Sequence, residues 1–205
     1  VLKNGGVTAL QQLMQPIGKI LIQGCINQYG VSVIAAFNAV NRVDDFACIP
    51  EQSISHAMMT YISQSVGAGN QEKKKEGFRK GLVLEVLYGI LIFLVVFLFA
   101  QPIIHIFGSG KMADIGANYL RCIAIFYILP GVTNGIQGYF RGIQKMKITL
   151  ISTCIQISLR TIFVYTLVPH IGMNGAAYAC AIGWSVMILY QIYIYRKMKR
   201  NNQPD

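Results

Sequence analysis

The sequence predicts an all-α, polytopic membrane protein built as a bundle of six transmembrane helices. Its composition is the first observation: 54% of the residues are hydrophobic and 13% are charged, with a mean hydropathy of +0.47, whereas a soluble domain carries about 25% charged residues. The second observation is a set of long segments without Asp, Glu, Lys or Arg, at 20–41, 52–71, 86–110, 122–140 and 161–195. A helix needs roughly 20 largely apolar residues to cross the hydrocarbon core, so these segments indicate spanning helices.

Six helices are expected in the order 5–29, 32–66, 78–107, 113–142, 147–168 and 173–198. Residues 1–198 then form the membrane-spanning unit, and 199–205 form a cytoplasmic tail. Turn-forming residues separate the helices: Gly30, GAGN at 67–70, GSG at 108–110, Gly142 and GMNG at 172–175. Pro16, Pro50 and Pro130 fall inside expected helices, where a membrane protein tolerates proline as a kink or an unwound turn.

The distribution of basic residues predicts the orientation in the membrane. With the N-terminus in the cytoplasm, most of the 18 lysines and arginines lie at cytoplasmic helix ends: Lys3, Lys73, Lys74, Lys75, Arg79, Lys80, Arg141, Lys145, Lys147, Arg196, Lys197, Lys199 and Arg200. On the opposite face, only Lys111 is clearly in a loop. Because cytoplasmic loops are enriched in Lys and Arg, both ends of the chain are expected in the cytoplasm.

Several classes of function are disfavoured by the same residues. The net charge of +10 suits helix ends that lie against anionic lipid, and no nucleic-acid partner is expected because the basic residues form no groove-binding patch. The five cysteines form no CxxC motif and are interpreted as packing residues. With neither HExxH nor GxSxG present, we expect no enzyme, no bound metal and no cofactor. The chain starts at Val1, almost inside its first helix, and is expected to be a fragment or a processed chain.

The second expected helix carries charges where lipid would surround it. Its ~35 residues would extend roughly 50 Å, beyond a hydrocarbon core of ~30 Å, and Arg42, Asp44, Asp45 and Glu51 fall near its middle. A charge at that depth costs at least about 2.5–3.5 kcal/mol. These side chains must therefore face other helices or water.

Helical spacing divides the polar residues of this helix between neighbouring faces. One polar stripe, with i, i+3, i+4, i+7 and i+14 spacing, consists of Asn38, Asn41, Arg42, Asp45 and Gln52. Arg42 and Asp45 are expected to pair, which leaves Asp44 and Glu51 without an obvious local partner. An unpaired carboxylate in a low dielectric takes up a proton or is held ionised by a cation, which is the chemistry of ion coupling. The alternative is a buried ion-pair network that only holds the helices together.

Two sets of candidate site residues follow. The carboxylates that would bind a coupling ion, Na⁺ or H⁺, are Asp44, Asp45 and Glu51. The residues expected to line a hydrated cavity for a substrate are Gln15, Asn38, Asn41, Arg42, Gln52, Gln156 and Arg160. For any one glutamine, an interhelical hydrogen bond is the competing explanation.

Four stretches of the chain resemble the multidrug and toxic compound extrusion (MATE) transporters. MMTYISQSVGAGNQEKKKEGFRKG at 58–81 is similar to the family's V-G-Q-x-x-G-A-G-like helix end and the basic loop after it. NGIQGYFRGIQKMKITL at 134–150 resembles the turn between the tenth and eleventh helices, and IGMNGAAYACAIG at 171–183 resembles the start of the twelfth. NAVNRVDDFACIP at 38–50 resembles the eighth helix of a bacterial subgroup. In this order and spacing, the resemblance covers nearly the whole chain.

The resemblance implies two six-helix lobes around a central cleft. This chain would be the second lobe, helices seven to twelve, in a bacterial cell membrane, and its missing partner would be the N-terminal lobe. The family exports cationic, amphipathic compounds in exchange for Na⁺ or H⁺, so organic cations or amphipathic drugs are the expected ligands.

Two alternatives remain open. One is a lipid-linked oligosaccharide flippase of a related fold, which would be expected to have a strongly cationic cavity, whereas the charges at membrane depth roughly balance here. The other is a non-transport membrane enzyme.

Overall fold

The computed structural model describes residues 2–200, apart from the side chains of 2–5 and 8. The helices of this part are α1 (Leu2–Ile26), α2 (Val31–Gly67), α3 (Gln71–His105), α4 (Lys111–Ala124), α5 (Ile128–Gly142), α6 (Met146–Ile171) and α7 (Asn174–Arg200), with a 3₁₀ turn at Asn27–Tyr29. No strand occurs within residues 2–200, and the all-α fold class is confirmed. Val1, the side chain of Lys3 and residues 201–205 of the expected tail lie outside the described part.

The loops fall where the turn-forming residues predict them. Gly30 and Gly69 have φ angles of 90° and 66°, a left-handed conformation that glycine adopts without a steric penalty. Asn70 then caps α3, because its side-chain oxygen accepts a hydrogen bond from the Lys73 N–H at 2.9 Å. The helix consequently begins at Gln71 rather than at the expected residue 78, since the basic segment between them is helical.

The expected fourth helix, 113–142, is two helices in the structure. α4 and α5 meet at an angle of 51°. Pro130 explains the break, because it has no N–H to donate to the carbonyl of Phe126 and its ring crowds that carbonyl. The N–H of Leu129 donates to the Phe126 carbonyl instead, at 2.9 Å, in a tighter turn. The bend brings Tyr127 to a buried position beside α2.

The helices differ in their capacity to cross a membrane. By length and composition, α3, α6 and α7 each qualify within the described part, and the bent pair of α4 and α5 qualifies as a fourth span. α1 and α2 are long enough, at 25 and 37 residues, but polar and charged side chains lower their hydropathy. The predicted count of six spans thus includes two helices whose polar faces require a neighbour other than lipid.

Two apolar clusters pack against opposite ends of α2. One contains Phe37, whose ring centroid lies 6.2 Å from that of Tyr119 on α4. The other contains Met58 of α2 and Phe140 of α5. The charged middle of α2, residues 44–51, lies between the two clusters, at the level of the bend between α4 and α5.

Candidate functional site

Asp44 lies against the bend between α4 and α5. Its carboxylate accepts a hydrogen bond from the hydroxyl group of Tyr127, a side chain that is itself buried. The positive charges of Arg160 on α6 and Lys19 on α1 both attract the Asp44 carboxylate. The sequence offered Asp44 no obvious local partner on α2, and its partners in the structure come from helices distant in sequence.

Asp45 points to a different surface from Asp44 and pairs with α1. One carboxylate oxygen of Asp45 lies 2.5 Å from the Lys19 ammonium nitrogen, and the two side chains are 63% and 45% exposed. Arg42 is exposed and forms no ion pair in the described part of the chain. The predicted pair of Arg42 and Asp45 is thus wrong. An i, i+3 pair contributes only a few tenths of a kcal/mol, too little to hold Asp45 away from Lys19 on the facing helix.

A groove that contains polar and charged side chains runs between α1 and α2 beside this ion pair. It encloses about 390 Å³ and is lined by Lys19, Ile20, Gln23, Asn38, Asn41, Arg42 and Asp45. Three of the predicted cavity residues, Asn38, Asn41 and Arg42, thus meet one predicted ion-coupling residue, Asp45. Sequence reasoning did not select Lys19 and Gln23, although their i, i+4 spacing is a signal for a polar stripe on α1.

The other predicted cavity residues do not join the groove lining. Gln15 and Gln52 are exposed on α1 and α2. Gln156 is buried. A Cβ on Gly183 of α7 would lie 3.0 Å from the backbone carbonyl oxygen of Gln156, so Gln156 belongs to the packed interface of α6 and α7. Arg160 also packs inside: it interacts with Cys180 and Asp44, and its Nε is buried without a hydrogen-bond acceptor.

A separate network of polar groups, in which Arg141 is the charged member, joins α1, α5 and α6. The Gln11 amide nitrogen donates to Gln137 Oε1 at 2.8 Å and to Thr153 Oγ1 at 2.9 Å. Thr149 donates to Gln11 Oε1 at 3.1 Å, and Arg141 donates to Gln137 Oε1 at 2.8 Å. For these glutamines the structure supports the interhelical hydrogen-bond explanation, because every contact satisfies a buried polar atom.

Glu51 is the most deeply buried of the three predicted ion-coupling carboxylates. It is 1% exposed and accepts a hydrogen bond from the Asn134 amide at 3.3 Å. Glu85 of α3 is 0% exposed and acts electrostatically on the same site. Sequence reasoning counted Glu85 only in the charge balance, since no periodic signal links one helix to the next.

The arrangement offers oxygen and nitrogen groups for ions and polar ligands rather than a preformed metal centre. Within residues 2–200, no group of three or more His, Cys, Asp and Glu is placed to hold a metal ion, and all five cysteines are free thiols. Charged groups lie at two depths: Asp45, Lys19 and Arg42 along the open groove, and Asp44 and Glu51 behind it. Charged side chains therefore lie both in the groove lining and outside it.

Comparison with known proteins identifies relatives along most of the chain. YpnP of Bacillus subtilis (strain 168), described as a probable multidrug resistance protein, is 28% identical over 157 residues, which are 74% of this chain and 35% of that protein. An FAD transporter of Shewanella oneidensis is 27% identical over 147 residues, which are 69% of this chain and 32% of that protein. The chain spans less than half the length of these relatives.

Solved structures show the same fold. A MATE transporter in its straight conformation superposes with a TM-score of 0.88 at 15% sequence identity, covering 94% of this chain and 43% of the other. At this sequence identity, the similarity establishes the fold alone. The family model of MatE matches residues 8–166, more than half of the sequence, and the chain therefore belongs to the MatE family.

Proposed function

We propose that this chain is one lobe of a Na⁺- or H⁺-coupled antiporter that exports cationic amphipathic compounds. In this proposal the chain operates with a second six-helix lobe, and the groove between α1 and α2 faces the cleft between the two. The observation that carries the proposal is the groove itself, because it brings charged residues of two helices, α1 and α2, together.

The distribution of exposed side chains supports a partner lobe. On α1 and α2, exposed apolar residues such as Leu13 and Ile20 lie among exposed polar ones, which include Gln12, Gln15, Lys19, Asp45 and Gln52. On α3 the exposed residues include Leu84, Leu87, Leu91, Leu94 and Leu98. Lipid suits the leucines, whereas polar groups at that depth require protein or water. The α1–α2 surface is therefore the one that a second lobe would cover.

Asp44 is the proposed ion-coupling residue. It lies behind the groove, it accepts a hydrogen bond from Tyr127 at the bend between α4 and α5, and it lies in the field of Arg160. Binding of H⁺ or Na⁺ at Asp44 would change its attraction to Arg160 and the hydrogen bond that fixes the bend. A bound ion would thus act on the helix packing that shapes the groove, which is the coupling an antiporter requires.

A second candidate substrate class is an organic anion. Arg42 lines the groove and forms no ion pair with the described residues, while Lys19 already neutralises Asp45, so the groove retains positive charge. The FAD transporter of Shewanella oneidensis among the relatives makes an anionic nucleotide a reasonable test compound. The flippase alternative has less support, because one net positive charge in the groove lining falls short of the strongly cationic cavity expected for it.

Transport in liposomes tests the proposal. The chain is reconstituted together with its N-terminal lobe, and efflux of ethidium, an amphipathic cation, is compared with efflux of FAD while Na⁺ and H⁺ gradients are imposed separately. We expect ethidium flux that depends on one of the two gradients. FAD flux without ethidium flux would move the assignment to the anionic class, and the absence of ion-driven flux for both compounds would contradict the antiporter function.

A further inference from the structure

Two buried carboxyl groups meet where α2, α3 and α5 pack together. Glu51 of α2 is 1% exposed and Glu85 of α3 is 0% exposed. The Glu51 carboxyl group and the Glu85 backbone pack on Gly131 of α5: a Cβ on that glycine would lie 3.7 Å from Oε1 of Glu51 and 3.0 Å from the backbone carbonyl oxygen of Glu85. One turn along α5, a Cβ on Gly135 would lie 3.3 Å from Cγ of Glu85. The glycines allow α5 to approach closely and to close the site from water.

The two groups differ in their hydrogen bonds. Glu51 Oε2 accepts a hydrogen bond from the side-chain NH₂ group of Asn134 at 3.3 Å. The Ser55 hydroxyl group donates to the backbone carbonyl oxygen of Asn134 at 2.7 Å. Both carboxyl oxygens of Glu85 are buried and have no hydrogen-bond partner in the described part of the chain. Glu51 therefore has a donor suited to an ionised carboxylate, while Glu85 has none.

Among the described side chains, no positive charge compensates the pair. In the described residues, neither carboxyl group forms an ion pair with a lysine, arginine or histidine. Asp44 and Cys48 on α2 and Tyr88 and Glu85 on α3 interact electrostatically with Glu51, and none of these four groups is cationic. The facing α5 contributes the uncharged Asn134. Two negative charges in this site would repel each other and would both lose their hydration, so the doubly ionised state is strongly unfavourable.

We propose that Glu51 and Glu85 form a proton-binding site that holds one exchangeable proton, carried by Glu85 as a neutral carboxyl group beside the ionised Glu51. The proton comes from water and forms an O–H bond on Glu85, which leaves the site with a single negative charge. This site is separate from Asp44 and from the groove between α1 and α2. It depends on these residues alone, so it stands whether or not the chain is part of an antiporter.

A proton suits this site better than a metal cation. Na⁺ and similar hard cations require several oxygen ligands around them, and the backbone carbonyls here are engaged in helices. The Asn134 side chain presents its NH₂ group, and not its oxygen, to Glu51. A proton requires only one carboxyl oxygen and adds no volume that α5 would have to accommodate.

Infrared spectroscopy of the full chain in lipid nanodiscs tests the proposal. The C=O stretching band of a protonated carboxylic acid, which shifts in D₂O, is recorded across a pH titration for the wild-type chain, Glu85→Gln and Glu51→Gln. We expect the wild-type chain to show this band at pH 7 and Glu85→Gln to lose it. Glutamine resembles a protonated glutamate in shape and charge, so Glu85→Gln should retain the wild-type helix content and melting temperature at pH 7.

Matched controls separate this site from other carboxyl groups. Glu76→Gln, on the exposed part of α3 where Glu76 lies 2.6 Å from Lys80, should leave the band unchanged. Replacement of K⁺ by Na⁺ in the buffer should also leave it unchanged. The proposal is overturned if the band is absent at pH 7, if it survives in both Glu85→Gln and Glu51→Gln, if Asp44→Asn removes it instead, or if Na⁺ abolishes it.

Discussion

Replacing Asp44 and Asp45 one at a time with asparagine should affect stability very unequally. The Asp45 carboxylate pairs with Lys19 at an exposed position, with side chains 63% and 45% exposed. Exposed ion pairs contribute roughly 0–1 kcal/mol, because solvent screens them. Asp45→Asn should therefore cost less than about 1 kcal/mol of unfolding free energy.

Asp44→Asn should have the larger effect. A hydrogen bond to a charged group contributes about 1.5–3 kcal/mol, and one to a neutral group contributes about 0.5–1.5 kcal/mol, so the bond from Tyr127 would lose roughly 1 kcal/mol. Arg160 would also lose the attraction of Asp44, while its buried Nε already lacks an acceptor. Together these changes predict a loss of about 1–3 kcal/mol. This order is the reverse of what an Arg42–Asp45 pair would give.

Thermal unfolding in nanodiscs, followed by circular dichroism, measures the difference. For about 200 residues, 1 kcal/mol shifts the melting temperature by about 2–4 °C, so Asp44→Asn should lower it by roughly 2–12 °C and Asp45→Asn by at most about 4 °C. Tyr127→Phe should lower the melting temperature less in the Asp44→Asn variant than in the wild-type chain, because both changes remove the same contact. A larger loss for Asp45→Asn, or full additivity, would refute the reasoning.

Transport by the same variants tests the coupling role of Asp44. In the transporter reconstituted with both lobes, Asp44→Asn should reduce ion-driven efflux, whereas Asp45→Asn should change it less. If Asp44→Asn transports like the wild-type protein, the interaction with Tyr127 and Arg160 only stabilises the helix packing, and the coupling assignment is wrong.

Three further predictions concern packing, topology and the need for a second lobe. Gly175→Ala should lose about 1–3 kcal/mol of stability, because a Cβ there would lie 2.7 Å from the Leu167 carbonyl carbon on α6. Gly67→Ala is the control: a Cβ there has no neighbouring atom within 4 Å, so the same melting assay should show no such loss. A cysteine at the exposed Lys75 should resist a membrane-impermeant thiol reagent added from outside, and one at Lys111 should react; the opposite result would reverse the predicted orientation. The 205-residue chain alone should show no ion-driven flux in liposomes, because half of the proposed cleft is absent, and measurable flux would disprove the need for a partner.

The sequence by itself determined the fold class. Long segments without charge predict membrane helices because lipid cannot hydrogen-bond the backbone, and this information is local to each segment. Glycine runs located the loops for the same reason, since a turn depends on the few residues within it. The concentration of Arg42, Asp44, Asp45 and Glu51 in one helix was also visible, as was the polar stripe through Asn38.

Only the tertiary structure decided which charges interact. Lys19 reaches Asp45 from α1, Tyr127 reaches Asp44 from the bend, and Glu85 meets Glu51 across α3 and α2. Each pair joins different helices, and the spacing of residues within one helix carries no information about the rotation of the next. The Arg42–Asp45 prediction was wrong for that reason: it considered partners on a single helix, whereas the packing of α1 against α2 supplied a closer one.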